Sequence, residues 1–147
     1  MQLSEQEVIR REKLDKLKEL GINPYPAALY PVTHRAHAIE NDYEEGLSVV
    51  VAGRLMRKKV QGKASFGELQ DSEGRIQLYF NRDEMCPAED KDLYNEVFKK
   101  LIDLGDILGV KGTLFTTQVG EKTVLVREFT LLSKALRPLP LPKVDAD

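Results

Sequence analysis

The sequence has no tryptophan, a single cysteine and only two histidines among its 147 residues. One cysteine, Cys86, excludes the internal disulfide framework of small secreted domains and fits a reducing compartment such as the cytosol. No apolar run approaches the roughly 20 residues that a membrane span needs. The first twenty residues are rich in charged side chains, unlike a secretory signal. We therefore expect a cytoplasmic protein without a membrane segment.

Positive and negative charges are nearly balanced, with 22 Lys and Arg against 24 Asp and Glu and a net charge of −2. This balance excludes a protein coated with basic residues for unspecific nucleic-acid binding, although it allows a local basic site. Hydrophobic residues make up 41% of the chain, which is enough for a core and too much for disorder throughout. The length predicts one domain with appendages.

Composition divides the chain into three regions. Residues 1–45 are predicted to hold a helix over 3–20, opened by a capping box at Ser4, and then an irregular extension with three prolines. Residues 46–134 carry nine of the ten glycines and form the predicted domain. Residues 135–147 alternate prolines with other residues, which is typical of an extended linker.

The middle region is predicted to contain five strands, because short runs rich in β-branched residues lie between turn signals. The predicted strands are 48–60, 64–71, 75–81, 106–117 and 122–133. Between the third and fourth strands, apolar residues recur at helical spacing over 90–104, and Gly105 ends this helix. The order β-β-β-α-β-β predicts a mainly β protein, a five-stranded OB-fold barrel with an N-terminal helical extension.

The hairpin of the second and third predicted strands shows which face is free for function. A two-residue turn within 71–74 sets its register, and side chains then alternate between the two faces. The pairs expected on the core face are Leu69 with Ile76, Gly67 with Leu78, and Ser65 with Phe80. The pairs expected on the solvated face are Gln70 with Arg75, Glu68 with Gln77, and Phe66 with Tyr79.

Two aromatic residues on a solvated sheet face have two interpretations. They form a cross-strand pair that only stabilises the hairpin, or a platform on which bases stack. Residues 54–63 favour the platform, because they carry five basic residues and no acid, although such a run can also be a solvated surface. Arg57 and Lys59 share a face if this strand alternates regularly, and cations beside aromatics suit a single-stranded nucleic acid. Glu68 and Gln77 offer donors and acceptors for base edges.

Other chemical motifs in the sequence are weak. The stretch 62–65, Gly-Lys-Ala-Ser, lacks the upstream glycine that a phosphate loop requires. His34 and His37 lack the further ligands of a metal motif, and no serine stands in a nucleophile elbow. We therefore expect neither a catalytic residue nor a metal site in this chain.

Four separated blocks of the sequence resemble one known family. They are REKLDKLKELGINPYP, VVVAGRLMRKKVQGKASFGELQDSEGRIQLYF, YNEVFKKLIDLGDILGVKG and LLSKALRPLP. In this order they resemble the N-terminal anticodon-binding OB domain of class IIb aminoacyl-tRNA synthetases. This family comprises the lysyl, aspartyl and asparaginyl enzymes, and the details look most like the lysyl members.

The resemblance implies that the barrel binds the anticodon loop of lysine tRNA, whose anticodon is U-rich. It implies that Phe66 stacks on the central uridine, that Gln77 hydrogen-bonds this base and that Tyr79 stacks on a neighbour. Lys59 occupies a basic position that is commonly arginine in the family. Its ammonium group cannot make the two parallel hydrogen bonds of a guanidinium, but it can still contact a phosphate. Glu121 matches a family acid that helps to select a flanking base.

The resemblance also implies that this chain is the N-terminal part of a longer synthetase. The two ATP-binding motifs of the family's catalytic domain do not appear in the sequence, so we expect the chain alone not to be an enzyme and to need no cofactor. The longer protein would use ATP and Mg²⁺ to attach lysine to tRNA, and its catalytic domain would hold a homodimer together. Three alternatives stay open: a free-standing OB protein that binds single strands, an aspartyl or asparaginyl anticodon domain, and a module whose polar face meets protein.

Overall fold

The computed structural model describes residues 4–24, 26 and 29–136. In this part of the chain five strands close into a barrel in the order β1-β2-β3-β5-β4, with β3 and β5 parallel and the other neighbours antiparallel. The strands are β1 (Ser48–Gln61), β2 (Ala64–Gln70), β3 (Arg75–Asn81), β4 (Ile107–Thr116) and β5 (Lys122–Ser133). The predicted OB-fold barrel is therefore confirmed, and each strand begins and ends within one residue of its prediction.

The interior of the barrel is filled by alternate side chains of the strands, as the period of two requires. Its fully buried members include Val51, Leu55, Leu69, Leu78, Phe80, Leu108, Val110, Leu114, Val124 and Val126. Strands β4 and β5 approach closely at Gly112, where a Cβ atom would lie 2.1 Å from the carbonyl oxygen of Leu125. Glycine at this position thus permits the barrel to close.

The β2–β3 hairpin has the predicted register. Phe66 pairs with Tyr79 and Leu69 pairs with Ile76 across the two strands. The turn is held by Asp71, whose Oδ1 accepts the backbone N–H groups of the two residues that precede β3 at 2.8 and 3.0 Å. These two hydrogen bonds fix the turn and thereby determine which side chains of the hairpin point outward.

Helix α1 (Glu5–Glu19) begins at the predicted cap, where the Ser4 hydroxyl accepts the backbone N–H of Glu7 at 3.2 Å. Residue 3, the predicted first residue, lies outside the described residues. Leu17 of this helix is buried in the same hydrophobic cluster as the barrel interior, and Arg10 donates to the carbonyl oxygen of Leu104 at 2.9 Å. The N-terminal extension is therefore joined to the barrel by specific contacts.

The extension is less irregular than predicted, because it contains a second helix, α2 (Ala36–Asn41). Its first N–H group, from Ala36, donates to Oδ2 of Asp71 at 2.7 Å. This cap comes from the β2–β3 turn, so the local sequence could not predict it. A further unpredicted turn of helix, α3 (Arg82–Met85), is capped by the side chain of Asn81.

Helix α4 (Leu93–Leu101) lies between β3 and β4 and is shorter than the predicted segment 90–104. It is wound as a π-helix, a wider coil than the predicted α-helix. Its buried residues include Tyr94 and Phe98, and the Phe98 ring stacks on Phe80 at 4.0 Å between centroids. The helix thus supports the inner side of the hairpin. Of the predicted linker 135–147, the part from Arg137 onward lies outside the described residues.

Candidate nucleic-acid interface

The outward side of β1, β2 and β3, which we call the hairpin face, brings together six of the seven predicted site residues. The cross-strand pairs on it are Arg57 with Glu68, Lys59 with Phe66, Phe66 with Tyr79, and Glu68 with Gln77. Phe66 is only half-buried, whereas its strand neighbours Ser65 and Gly67 are buried. The hairpin face is therefore an accessible surface outside the hydrophobic interior.

Arg57 and Lys59 reach the hairpin face through an irregularity in β1. Strict alternation from buried Leu55 would turn both cations toward the interior. The register with β2 instead shifts between Leu55 and Arg57, and Arg57 then pairs with Glu68. A bulge of this kind re-aims the side chains that follow it. The prediction that the two residues share a face is confirmed, but the bulge that makes this face the outer one was missed.

Three aromatic rings form a row across the barrel surface. The centroids of Phe66 and Tyr79 are 5.1 Å apart with an interplanar angle of 44°, and those of Tyr79 and Phe115 are 5.9 Å apart at 66°. Phe115 comes from β4 and was missed by sequence reasoning. In the sequence, Phe115 is recognisable only as an aromatic residue that faces outward next to buried Leu114. Its neighbours on the surface could not be predicted, because they depend on how the barrel closes.

Two open clefts flank Phe66. The basic cleft, of about 270 Å³, is lined by Arg57, Lys59, Phe66, Gly67, Glu68 and Gln77. The aromatic cleft, of about 590 Å³, is lined by Gln61, Ala64, Phe66, Tyr79, Phe115, Thr117, Gln118 and Val119. Because Phe66 borders both clefts, two flat ligands could contact this part of the surface side by side.

The polar groups of the basic cleft differ in how firmly they are held. Arg75 donates to Glu68 at 2.8 Å, and the side-chain amide of Gln77 donates to Thr123 at 3.2 Å. Within the described part of the chain, exposed Arg57 and Lys59 make neither a side-chain hydrogen bond nor an ion pair. Two free cations beside an aromatic ring can neutralise phosphates while a base stacks.

Comparison with known proteins identifies the class of domain. Residues 49–132 match the tRNA anti-codon family, which is described as an OB-fold nucleic acid binding domain. The chain belongs to this family. The match covers all five strands except Ser48 and Ser133, and it includes the whole hairpin face. The resemblance that the sequence motifs indicated is therefore confirmed.

The anti-codon family domain is similar to curated proteins named lysine–tRNA ligase. The protein from Christiangramia forsetii is 64% identical over 146 residues, which cover 99% of this chain and 26% of the relative. A relative from Porphyromonas gingivalis is 53% identical over 148 residues, with 97% and 26% covered. One from Moorella thermoacetica is 49% identical over 134 residues, with 90% and 26% covered. The chain thus spans about a quarter of the length of these relatives.

Glu121 is the predicted site residue that the fold does not bring into either cleft. It is exposed in the β4–β5 turn. Its backbone carbonyl accepts the Thr123 hydroxyl at 3.1 Å, and Thr123 in turn accepts the amide of Gln77. Glu121 is therefore connected to the basic cleft through its backbone, while its side chain is free to meet a ligand from outside the barrel.

The two histidines of the domain are hydrogen-bonded to neighbouring side chains. His34 shares a 2.8 Å hydrogen bond with Thr33, and His37 shares one of 2.8 Å with Asn41. Among the described residues, no three His, Cys, Asp or Glu side chains are close enough to hold a metal ion. None of the described helices is long and apolar enough to cross a membrane. Cys86 is a buried free thiol.

Proposed function

We propose that this domain binds the anticodon loop of lysine tRNA on its hairpin face and is the anticodon-binding part of a lysine–tRNA ligase. The observation that carries the proposal is the half-buried Phe66 ring beside the free cations Arg57 and Lys59. Its support is the family match and the 64% identity to a protein named lysine–tRNA ligase. Single-stranded nucleic acids are bound by this combination of stacking and phosphate neutralisation.

Each side chain of the hairpin face has a proposed role. Phe66 stacks on the central uridine, and Gln77 exchanges hydrogen bonds with the edge of that base. Arg57 and Lys59 neutralise the phosphates that flank it. Glu68, which Arg75 orients, adds an acceptor to the basic cleft. These roles assign the recognition of one base to the cleft of about 270 Å³.

The aromatic cleft has a proposed role for the neighbouring base. Tyr79 supplies a ring next to Phe66, and Phe115 extends the platform. Glu121 contributes to the selection of a flanking base from the adjacent turn. A platform of three rings can thus receive consecutive bases of an opened loop, which is how proteins commonly read single-stranded RNA.

The chemistry of a complete ligase is proposed for a longer protein that contains this domain. Such a protein would use ATP and Mg²⁺ to attach lysine to tRNA in the cytoplasm, as a homodimer. For the described residues we propose anticodon binding alone.

Replacing Phe66 with alanine is expected to weaken binding of a lysine tRNA anticodon stem-loop with a UUU anticodon by about 1–3 kcal/mol. The physical reason is the loss of the stacking surface for one base. The fold should survive, because Phe66 is half-buried on the outer face. Titration of a fluorescent stem-loop measures the affinity, and circular dichroism checks the fold.

Two comparisons make the Phe66 experiment selective. A Phe66→Tyr variant keeps the ring and should bind nearly as well as the wild type, whereas Phe66→Leu keeps apolar bulk without a ring and should resemble alanine. A stem-loop with a scrambled loop should bind much more weakly than the UUU loop. Equal affinity for both loops would instead favour a general single-strand binder, and absence of RNA binding would favour a protein partner.

Phe115→Ala is a separate test of the extended platform. If a second base stacks on this ring, the substitution should weaken binding of the same stem-loop by about 1–3 kcal/mol. Replacing each loop base in turn by an abasic nucleotide locates the partner. At one position the abasic RNA should bind the wild type and Phe115→Ala equally well. If Phe115→Ala instead weakens binding equally for every abasic stem-loop, Phe115 contacts no base.

A further inference from the structure

The orientation of the hairpin-face cations Arg57 and Lys59 depends on residues 57–61, the segment of β1 that follows the bulge. Leu55 pairs with buried Leu69 before the bulge, and Arg57 pairs with Glu68 after it. A slip of one residue in this segment would turn Arg57 and Lys59 away from the clefts. Some interaction must therefore hold the segment in its shifted register.

Lys58 provides such an interaction from the opposite face of the strand. Its ammonium group donates to the backbone carbonyl oxygens of Ile102 at 2.6 Å, Lys99 at 3.2 Å and Phe98, at the C-terminal end of α4. The same nitrogen lies 4.7 Å from the centroid of the Phe98 ring. A cation is favoured at this end of a helix, because the last carbonyl groups lack helical partners.

Helix α4 also holds the other end of the segment. The Tyr94 hydroxyl donates to the carbonyl oxygen of Gly62 at 3.1 Å, in the turn between β1 and β2. It also lies 2.7 Å from the hydroxyl of Ser65, the residue before Phe66. Helix α4 thus holds this segment of β1 at Lys58 and, through Tyr94, at the turn that follows the segment.

We propose that Lys58 is a positioning residue for RNA binding: its tether to α4 holds the β1 segment in the register that presents Arg57 and Lys59 to the phosphates. The inference rests on the proposed function for its RNA readout. Lys58 itself points away from the clefts and acts through its two neighbours. Burial lowers the pKa of Lys58 to about 8, against the attraction of Asp103, so the ammonium is charged at neutral pH.

The test compares Lys58→Met with the double variant Arg57→Ala/Lys59→Ala and with the triple variant, using the UUU stem-loop at neutral pH and several salt concentrations. Lys58→Met should weaken binding about tenfold and reduce the salt dependence as much as the double variant does, although it removes one charge. When Arg57→Ala and Lys59→Ala are added to Lys58→Met, the affinity for the stem-loop should fall by less than about a further twofold. Additive losses would overturn the proposal.

Controls separate positioning from charge and from stability. Lys100→Met removes an exposed lysine of the same helix and should leave the affinity within about twofold of the wild type. Lys58→Arg keeps charge and donors and should bind within about threefold of the wild type. If Lys58→Met does not fold, Lys58→Gln replaces it, with the same expectations. A loss for Lys100→Met as large as that for Lys58→Met would contradict a positioning role.

A second readout does not need RNA. NMR contacts between Arg57 and Glu68 and between Lys59 and Phe66 report the register of β1 and β2 directly. The proposal expects these contacts to be lost or weakened in the folded Lys58→Met variant and kept in Lys58→Arg. Unchanged contacts would refute it. If the wild type fails to bind the stem-loop, the proposed function fails, while this measurement still decides the role of Lys58.

Discussion

Lys134→Met is expected to lower the free energy of unfolding by about 3–5 kcal/mol, because it leaves the buried carboxylate of Asp106 without its cation. The side chain of Lys134 is 1% exposed and bonds Asp106 at 2.7 Å and Asp103 at 2.8 Å. Methionine has a similar length, so the loss comes from charge and not from a cavity. Urea unfolding followed by circular dichroism measures it.

The position of this ion-pair cluster explains the size of the effect. Asp103 also pairs with Lys13 of α1 at 2.7 Å, and Asp106 accepts the backbone N–H of Ala135 at 2.9 Å. The cluster therefore joins α1, the loop before β4 and the end of β5. Without Lys134 the Asp103 carboxylate would keep only Lys13, and the buried Asp106 carboxylate would have a like charge nearby and no cation, which is costly.

The pH dependence of the variant should differ from that of the wild type. In the wild type, burial opposes ionisation of Asp103, yet hydrogen bonds from Lys13 and Lys134 hold its pKa below the ordinary value. That contribution to stability is lost as the pH falls through the lowered pKa. Burial raises the pKa of Asp106 even beside Lys134. Without the cation this carboxyl binds a proton more readily in the folded state, so the stability that the variant loses relative to the wild type should shrink as the pH falls from neutral toward the raised pKa of Asp106.

Two further variants control the Lys134 experiment. Lys111→Met removes an exposed lysine that pairs with Glu128 at 3.5 Å, and it should change the free energy of unfolding by less than about 1 kcal/mol. Adding Asp106→Asn to Lys134→Met removes the uncompensated charge and should restore part of the stability. Equal, small losses for Lys134→Met and Lys111→Met would mean that the buried cluster contributes no more than a surface pair.

The hairpin face could be predicted from the sequence because its register is set locally. Asp71 holds the turn with bonds to the N–H groups of Glu73 and Gly74, and every pair farther along the hairpin follows from that turn. The outward direction of Phe66 and Tyr79 is then a matter of counting residues. The order of the five strands was likewise visible, since each strand is bounded by its own turn signals.

The features that sequence reasoning missed depend on distant parts of the chain. Phe115 joins Tyr79 only because β5 lies between β3 and β4 in the closed barrel. Arg57 faces outward only because β1 has a bulge against β2. The charge pattern of α1 predicted a helix, but not that Lys13 would meet Asp103 in a loop far along the sequence. Local propensity contains no information about such partners.

Leu69→Ala is expected to lower the free energy of unfolding by about 2–5 kcal/mol, as large-to-small substitutions in a core do. Leu69 is 1% exposed and pairs with Leu55 on one side and Ile76 on the other, so alanine leaves a cavity in the barrel. Urea unfolding measures the loss. RNA affinity, measured where the variant is still folded, should stay within about twofold of the wild type, because Leu69 does not line the clefts.

The contrast with Phe66, three residues earlier on the same strand, tests the assignment of the two faces. Phe66→Ala should keep most of the stability and lose RNA affinity, whereas Leu69→Ala should do the reverse. Because a shift of one residue exchanges the faces of the whole strand, the two variants cannot both behave as expected unless the register is correct. A stable Leu69→Ala variant together with an unfolded Phe66→Ala variant would mean that the aromatic row belongs to the core and that RNA, if bound, meets another surface.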